Sequence, residues 1–229
     1  MRARIVWLVA IAPPSRRAGA AVPLEDELPA AIGATSFRVK GHVYQKMKDN
    51  VASSVPGGVE RLLERIERED VRDFFNQRFL GGSWYDALPM APLSYAHARL
   101  AGAPLHRFTR ERGRIIAQHD VPGIYKALLR LFSPSTLISR LPRVATFYFS
   151  FGKASAEQLE PNRARTTLAE LPYSLAPMLA GVVEGFISVA LEQSGAKGVQ
   201  VRTLDVCYDG NVVDDIPTAS IRHESTWDL

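Results

Sequence analysis

From Thr218 to Asp228 the chain alternates without a break. Ala219, Ile221, His223, Ser225 and Trp227 fall on one side of an extended backbone, and Thr218, Ser220, Arg222, Glu224, Thr226 and Asp228 on the other. Successive side chains of a strand point to opposite faces, so this pattern fits a strand covered on one side and fits no helix. Such a strand needs neighbours, and the preceding residues supply them. Val199–Tyr208 also reads as a strand. Ser174–Gln193 is an apolar stretch of helical length, closed by Gly195 and Gly198. Before it, Ala154–Glu160 and Ala164–Leu171 read as strands around the turn tripeptide Pro161-Asn162-Arg163.

Upstream the period changes to that of helices. Val59, Leu62, Leu63 and Ile66 recur at i, i+3, i+4 and i+7, and Val71, Phe74 and Phe75 begin another short helix before Gly81-Gly82-Ser83. Val51–Gly58 reads as a loop by its Ser, Pro and Gly content, and Trp84–Pro92 as an aromatic, proline-rich corner. Leu93–Leu100 reads as a helix. Leu105, Phe108, Arg112, Ile115 and Ile116 give the next helical face. Asp120 is placed to cap a further helix bearing Pro122, Ile124, Ala127, Leu128 and Leu131. Ser133-Pro134 starts another, expected to run through Val144, Phe147, Tyr148 and Phe151 to Gly152. Helices first and strands last imply an α+β domain. The expected architecture is an N-terminal helical cluster packed on a small antiparallel sheet, formed by two C-terminal hairpins linked by a long helix. Residues 36–229 are read as one domain.

Residues 1–35 are read as a poorly ordered extension. Met1–Arg4 is basic, Ile5–Ala12 apolar and Ala18–Ala21 small, which sketches a signal-like leader, but Pro13-Pro14-Ser15-Arg16-Arg17 intrudes. Ile5–Ala12 is too short to span a bilayer as a helix, and Glu184 interrupts the other apolar stretch, Leu175–Leu191. No transmembrane segment is therefore expected. A cytoplasmic location is the reading, with export as the alternative. The net charge of +4 belongs to the first 24 residues, which hold Arg2, Arg4, Arg16 and Arg17 and no acid. Inside the domain, Arg99–Arg143 carries nine Arg or Lys against Glu111 and Asp120. No interleaved aromatic platform accompanies it, so it reads as a solvated face balancing acids elsewhere and not as a nucleic-acid site.

The lone Cys207 excludes an internal disulfide and a cysteine-rich zinc site, and reads as a small buried hydrophobe. His42, His97, His106, His119 and His223 show no i, i+4 pairing, so no metal is expected. Gly-x-Ser-x-Gly, a phosphate loop and G-x-G-x-x-G are all absent. Asp214-Asp215 reads as turn chemistry. These gaps lean against an enzyme, and no cofactor is predicted. Trp84-Tyr85-Asp86-x-x-Pro89 could line a pocket or anchor a corner. Gly181 and Gly185 admit close approach of a backbone or a flat ligand; tight packing onto the sheet is the favoured reading. Met178, Val182, Phe186 and Val189 read as core beside them, with Glu184 facing water.

Val39-Lys40-Gly41, Trp84-Tyr85-Asp86-x-x-Pro89, Gly113, Phe147-Tyr148-x-x-x-Gly152, Ala180-Gly181-x-x-Glu184-Gly185, Val199-x-Val201, Cys207-x-x-Gly210 and Trp227 occur in that order. In this the chain resembles an uncharacterised family found mainly in myxobacteria. The helices-then-strands ending is more distantly similar to the ligand-sensing fold of vinyl-reductase-type and haem–nitric-oxide-binding domains. That resemblance implies a small apolar pocket between helices and sheet, in a non-enzymatic sensory or regulatory module. The pocket candidates are Trp84, Tyr85, Phe147, Tyr148, Phe151, Met178, Gly181, Gly185 and Phe186. Haem-binding relatives carry a Tyr-x-Ser-x-Arg clamp and an upstream axial His. Here Pro172-Tyr173-Ser174 lacks the Arg, and no His lies between His119 and His223, which argues against haem. A protein-interaction scaffold with a filled core, homodimeric or with another partner, is the alternative.

Overall fold

A computed structural model describes residues 28–119 and 132–228. The elements run β1 (Arg38–Lys40), α1 (Gly41–Ser54), α2 (Gly58–Leu63), α3 (Glu69–Asn76), β2 (Trp84–Asp86), α4 (Met90–Leu100), α5 (Leu105–His119) and α6 (Pro134–Ala145). Then come β3 (Lys153–Glu160), β4 (Arg163–Pro172), α7 (Ala176–Gln193), β5 (Lys197–Val213) and β6 (Ile216–Asp228). The expected cap at Asp120, with Pro122, and the helical face from Ile124 to Leu131 lie outside the described residues.

The C-terminal architecture is the one the alternation implies. β3–β4 and β5–β6 are antiparallel hairpins, α7 links them, and β4 pairs with β6, giving the order β3-β4-β6-β5. On β6 the side chains of Ala219, Ile221, His223, Ser225 and Trp227 are all buried, while Arg222 and Asp228 are exposed. Glu224 sits on the outer face yet is buried, because its cross-strand neighbours are acid-seeking. Arg163 Nη2 donates to it at 2.8 Å and Arg202 Nη2 at 2.6 Å, which holds its carboxyl below the usual range. Asp214 and Asp215 form the β5–β6 turn, both at positive φ.

Three sequence expectations are corrected. α1 continues to Ser54, through residues read as a loop. Val51 is buried in the core, and the Ser53 and Ser54 hydroxyls donate back to the Asn50 carbonyl, which closes the helix end. α6 starts as expected, with Ser133 Oγ accepting from the Thr136 amide and Pro134 in the first turn, but ends at Ala145 and not at Gly152. The segment after it pairs with β1 instead: the Lys40 amide donates to Tyr148 O and the Ser150 amide to Arg38 O, both in a register no local pattern reveals. Cys207 is exposed on the edge strand β5, 3.4 Å from Ser220 Oγ, and is not a buried hydrophobe.

Packing also reaches further back than position 36. Leu28 and Thr35 are buried, and the Gly33 amide donates to Asp86 Oδ2 at 2.7 Å. The apolar interior falls into two clusters. The larger joins α1–α4 to the start of α7, around Phe37, Tyr44, Phe75, Leu93 and Leu179. The smaller joins α6, the end of α7 and the sheet, around Leu137, Ile138, Leu191 and Trp227.

α7 serves both clusters because α5 lies directly on it, backbone to backbone. A Cβ on Gly113 would overlap the Val182 carbonyl. One on Gly181 would overlap Thr109 Oγ1 and the His106 carbonyl, and one on Gly185 the Arg110 carbonyl. The close approach that the two α7 glycines permit is therefore taken up by a helix, and not by the sheet. Gly185→Ala forces two helices apart along their whole contact. It is expected to destabilise the fold by at least ~2–3 kcal/mol, read as a lower urea midpoint at unchanged slope.

Candidate functional site

Between the two clusters the chain leaves a cavity of about 200 Å³. Its back wall is the α7 stripe Met178, Val182, Val183 and Phe186, its floor the inner face of β3 and β4, and its sides come from α1, α4, α5 and α6. The wall is apolar because α7 turns its glycine face to α5 and its large side chains to this space. Ser94 Oγ donates to Met178 Sδ at 2.9 Å, so that hydroxyl adds no free polar group.

Polar groups collect on the α1, α4 and α5 side. The ring of His97 is buried edge-on against Phe108, with centroids 4.6 Å apart, and its Nε2 is 3.1 Å from Ser54 Oγ. Burial and the neighbouring Arg112 charge push its pKa down to about 4, so the imidazole is neutral at pH 7. Arg112 is half-buried, and burial lowers its pKa too. Asn50 Oδ1, on the α1 wall, and Thr166 Oγ1, on the floor, are buried without a hydrogen-bond partner.

Of the sequence-derived pocket candidates, Tyr148, Met178 and Phe186 line this cavity. The others lie elsewhere. Trp84 is 43% exposed with Lys40 Nζ 4.0 Å over its ring. Tyr85 packs on Phe79, and its hydroxyl accepts from the Leu80 amide. Phe151 packs on Phe37 and Phe149. Phe147 is 57% exposed, and Gly181 and Gly185 face α5. Sequence reasoning missed His97, Arg112 and Asn50. Arg112 sat in an apolar helical stripe, which was the one available signal; His97 and Asn50 gave none.

Glu184 is also placed differently from expectation. It is 5% exposed and does not face water. Arg110 Nε approaches its Oε1 at 2.9 Å and His106 Nε2 its Oε2 at 3.3 Å, while the Thr203 amide and hydroxyl both donate to Oε2 at 2.8 Å. This carboxylate pins α5 and β5 to α7. Next to it, fully buried His223 donates from Nε2 to the Ala180 carbonyl at 2.9 Å, and burial lowers its pKa. Arg114 pairs with Glu192 at 3.5 Å, so part of the basic run from Arg99 to Arg143 is matched by the acids of α7. Among the described residues, no three His, Cys, Asp or Glu side chains are placed to hold a metal ion, and no helix is long and apolar enough to cross a membrane.

No protein-family profile and no curated protein matches the chain. Solved structures do match in fold. An I5F mutant of the T. tengcongensis H-NOX domain superposes with a TM-score of 0.58 at 9% identity, over 83% of this chain and 98% of that one. The Fe(II) unliganded H-NOX protein from K. algicida gives 0.57 at 11% identity, over 83% and 97%. An oxygen-binding H-NOX domain related to soluble guanylate cyclases gives 0.55 at 9% identity, over 83% and 95%. The chain thus has an α+β fold of the H-NOX kind, in agreement with the distant fold-level resemblance read from its ending.

His97 ties the site to stability. Its pKa is near 6.5 when unfolded and about 4 when folded, so the unfolded state binds the proton first on acidification. Stability is expected to fall as pH drops from about 6.5 to about 4, by up to ~2–3 kcal/mol from this group. Buried His223 acts in the same direction. Urea titrations at stepped pH check this: His97→Gln removes its share of the slope, leaving the remainder to His223 and, toward pH 4, to paired carboxylates such as Glu224.

Proposed function

We propose that the chain is a sensory or regulatory module, without catalysis of its own, that holds a small apolar ligand in the cavity behind Met178, Val182 and Phe186. The cavity is the observation that carries the reading: an apolar space lined by large side chains with a few polar groups is a default binding site. The H-NOX-like fold supports it, since one of the domains that share this fold is an oxygen-binding one. The reading places the module in the cytoplasm.

Haem does not fit the residues present. A cavity of about 200 Å³ is below the roughly 300–1,000 Å³ of drug-sized ligand sites, and a porphyrin is larger than most drugs. Nε2 of His97 is engaged with Ser54, and His42 stacks its ring edge-on to Tyr148 at 5.4 Å. Tyr173-Ser174 has no Arg following at the clamp position.

Native mass spectrometry of gently purified protein, with thermal-shift screening of small hydrophobic compounds, tests the proposal. A ligand at a hundredfold excess over its Kd adds about 2.7 kcal/mol, or roughly 5–10 °C for a chain of this size. Val183→Trp, which fills the cavity, should abolish the shift. A mass spectrum without adducts and a flat screen would sink the reading.

A second reading, homodimerisation, rests on the edge strand β5. Leu204, Val206, Tyr208 and Val212 are 39%, 37%, 45% and 56% exposed there, an apolar row on a long unpaired edge. Sedimentation velocity should then show a dimer that Val206→Lys dissociates; a monomer at every concentration rules it out.

A further inference from the structure

The cavity is not uniformly apolar: beside neutral polar groups such as Asn50 and Thr166, its ionisable side chains are all basic. Among the described residues that line it there are His42, Lys46, His97 and Arg112, and no Asp or Glu. The guanidinium of Arg112 is half-buried there and makes no ion pair with another described residue. The nearest acid that it feels is Glu111, which is exposed and adjacent on α5. Adjacent helical residues do not face each other, and α5 turns Glu111 away from the cavity that Arg112 lines. Elsewhere on the same helix, Arg110 and Arg114 each meet a carboxylate of α7. Arg112 is the member of that series that points to the cavity and not to an acid.

A partly desolvated cation without a counter-ion is costly, and a ligand anion removes the cost. Asn50 adds to the same side. Its amide oxygen is buried without a donor; rotating the amide presents its NH₂ group to an anion instead. Neutral His97 lines the same side, so it neither repels the guanidinium nor competes for an anion as a second fixed charge.

We propose that the ligand is an amphipathic carboxylate, with its carboxylate on Arg112 and Asn50 and its hydrocarbon body along Met178, Val182, Val183 and Phe186. This rests on the pocket reading above and narrows it to a ligand class. The guanidinium offers paired N–H donors to a carboxylate, a geometry a neutral alcohol or hydrocarbon does not use. The α7 wall supplies apolar contact for an alkyl chain and has no polar group to bind a second charge.

Calorimetric titration of the full chain with decanoate and with decanol separates the two ideas. Decanoate is expected to bind at least tenfold tighter than decanol. Arg112→Gln is expected to bring decanoate down to the level of decanol, and a far-ultraviolet circular dichroism spectrum matching that of the parent shows that the variant is folded. Arg112→Lys should restore part of the preference. An NMR titration of the His97 ring gives a readout independent of any variant, because an anion beside Arg112 raises its apparent pKa. Equal affinity for the two compounds, or a preference that survives Arg112→Gln, overturns the carboxylate assignment and leaves an apolar pocket standing. Binding of neither compound overturns this proposal, and a flat hydrophobic screen alongside it removes the pocket as well.

Discussion

The contact between α5 and α7 sets the rest of the molecule. Gly113 on one helix and Gly181 and Gly185 on the other leave no room for side chains between them, so the backbones meet directly. Helices packed this closely have little freedom to slide, and the face of each that is turned away is fixed by the face in contact. For α7 the consequence is that Met178, Val182 and Phe186 must point away from α5, toward the space between the helices and β3–β4. The Glu184 carboxylate fastens the arrangement. It takes an Arg from α5 and an amide from β5, so one side chain holds three elements. Such an interaction adds specificity of placement more than net stability, since both charges must first lose water.

The cavity follows from that placement. α7 belongs at its start to the large cluster around Tyr44 and Phe75, and at its end to the small one around Leu137 and Trp227. Between the two ends, the face bearing Val182, Val183 and Phe186 lines open space. A chain that needed only stability would close such a gap, because unfilled volume forfeits dispersion contacts on every lining atom. The gap also carries a half-buried guanidinium and two of the unpartnered buried polar atoms, each of which costs stability.

Much of the fold was legible because it rested on periodicity. The alternation on β6, the tripeptide at Pro161 and the apolar length of α7 each have a local cause, and the two hairpins and their linking helix follow from them. Where the reading failed, a distant partner had overruled the local pattern. Phe147, Tyr148 and Phe151 have helical spacing, yet their segment hydrogen-bonds to β1 more than a hundred residues earlier in the chain. Glu184 looked like a surface residue because an isolated acid in an apolar helix ordinarily faces water. Its burial depends on Arg110 and Thr203, whose proximity no spacing reveals. The site was legible only in part for the same reason. Met178 and Phe186 stood out as large apolar residues on one stripe, whereas His97, Asn50 and Arg112 come together from three helices.

By itself, then, the sequence determined the class of fold, the order of its C-terminal elements and the faces of its last strands, because hydrophobic period and turn chemistry act over a few residues. Only the tertiary structure decided that the paired glycines of α7 meet a helix and not a ligand, that Glu184 is buried, and that one arginine of a basic run is left facing an apolar space. Those outcomes depend on which surfaces are brought into contact, and contact between segments far apart in the chain is settled by packing as a whole.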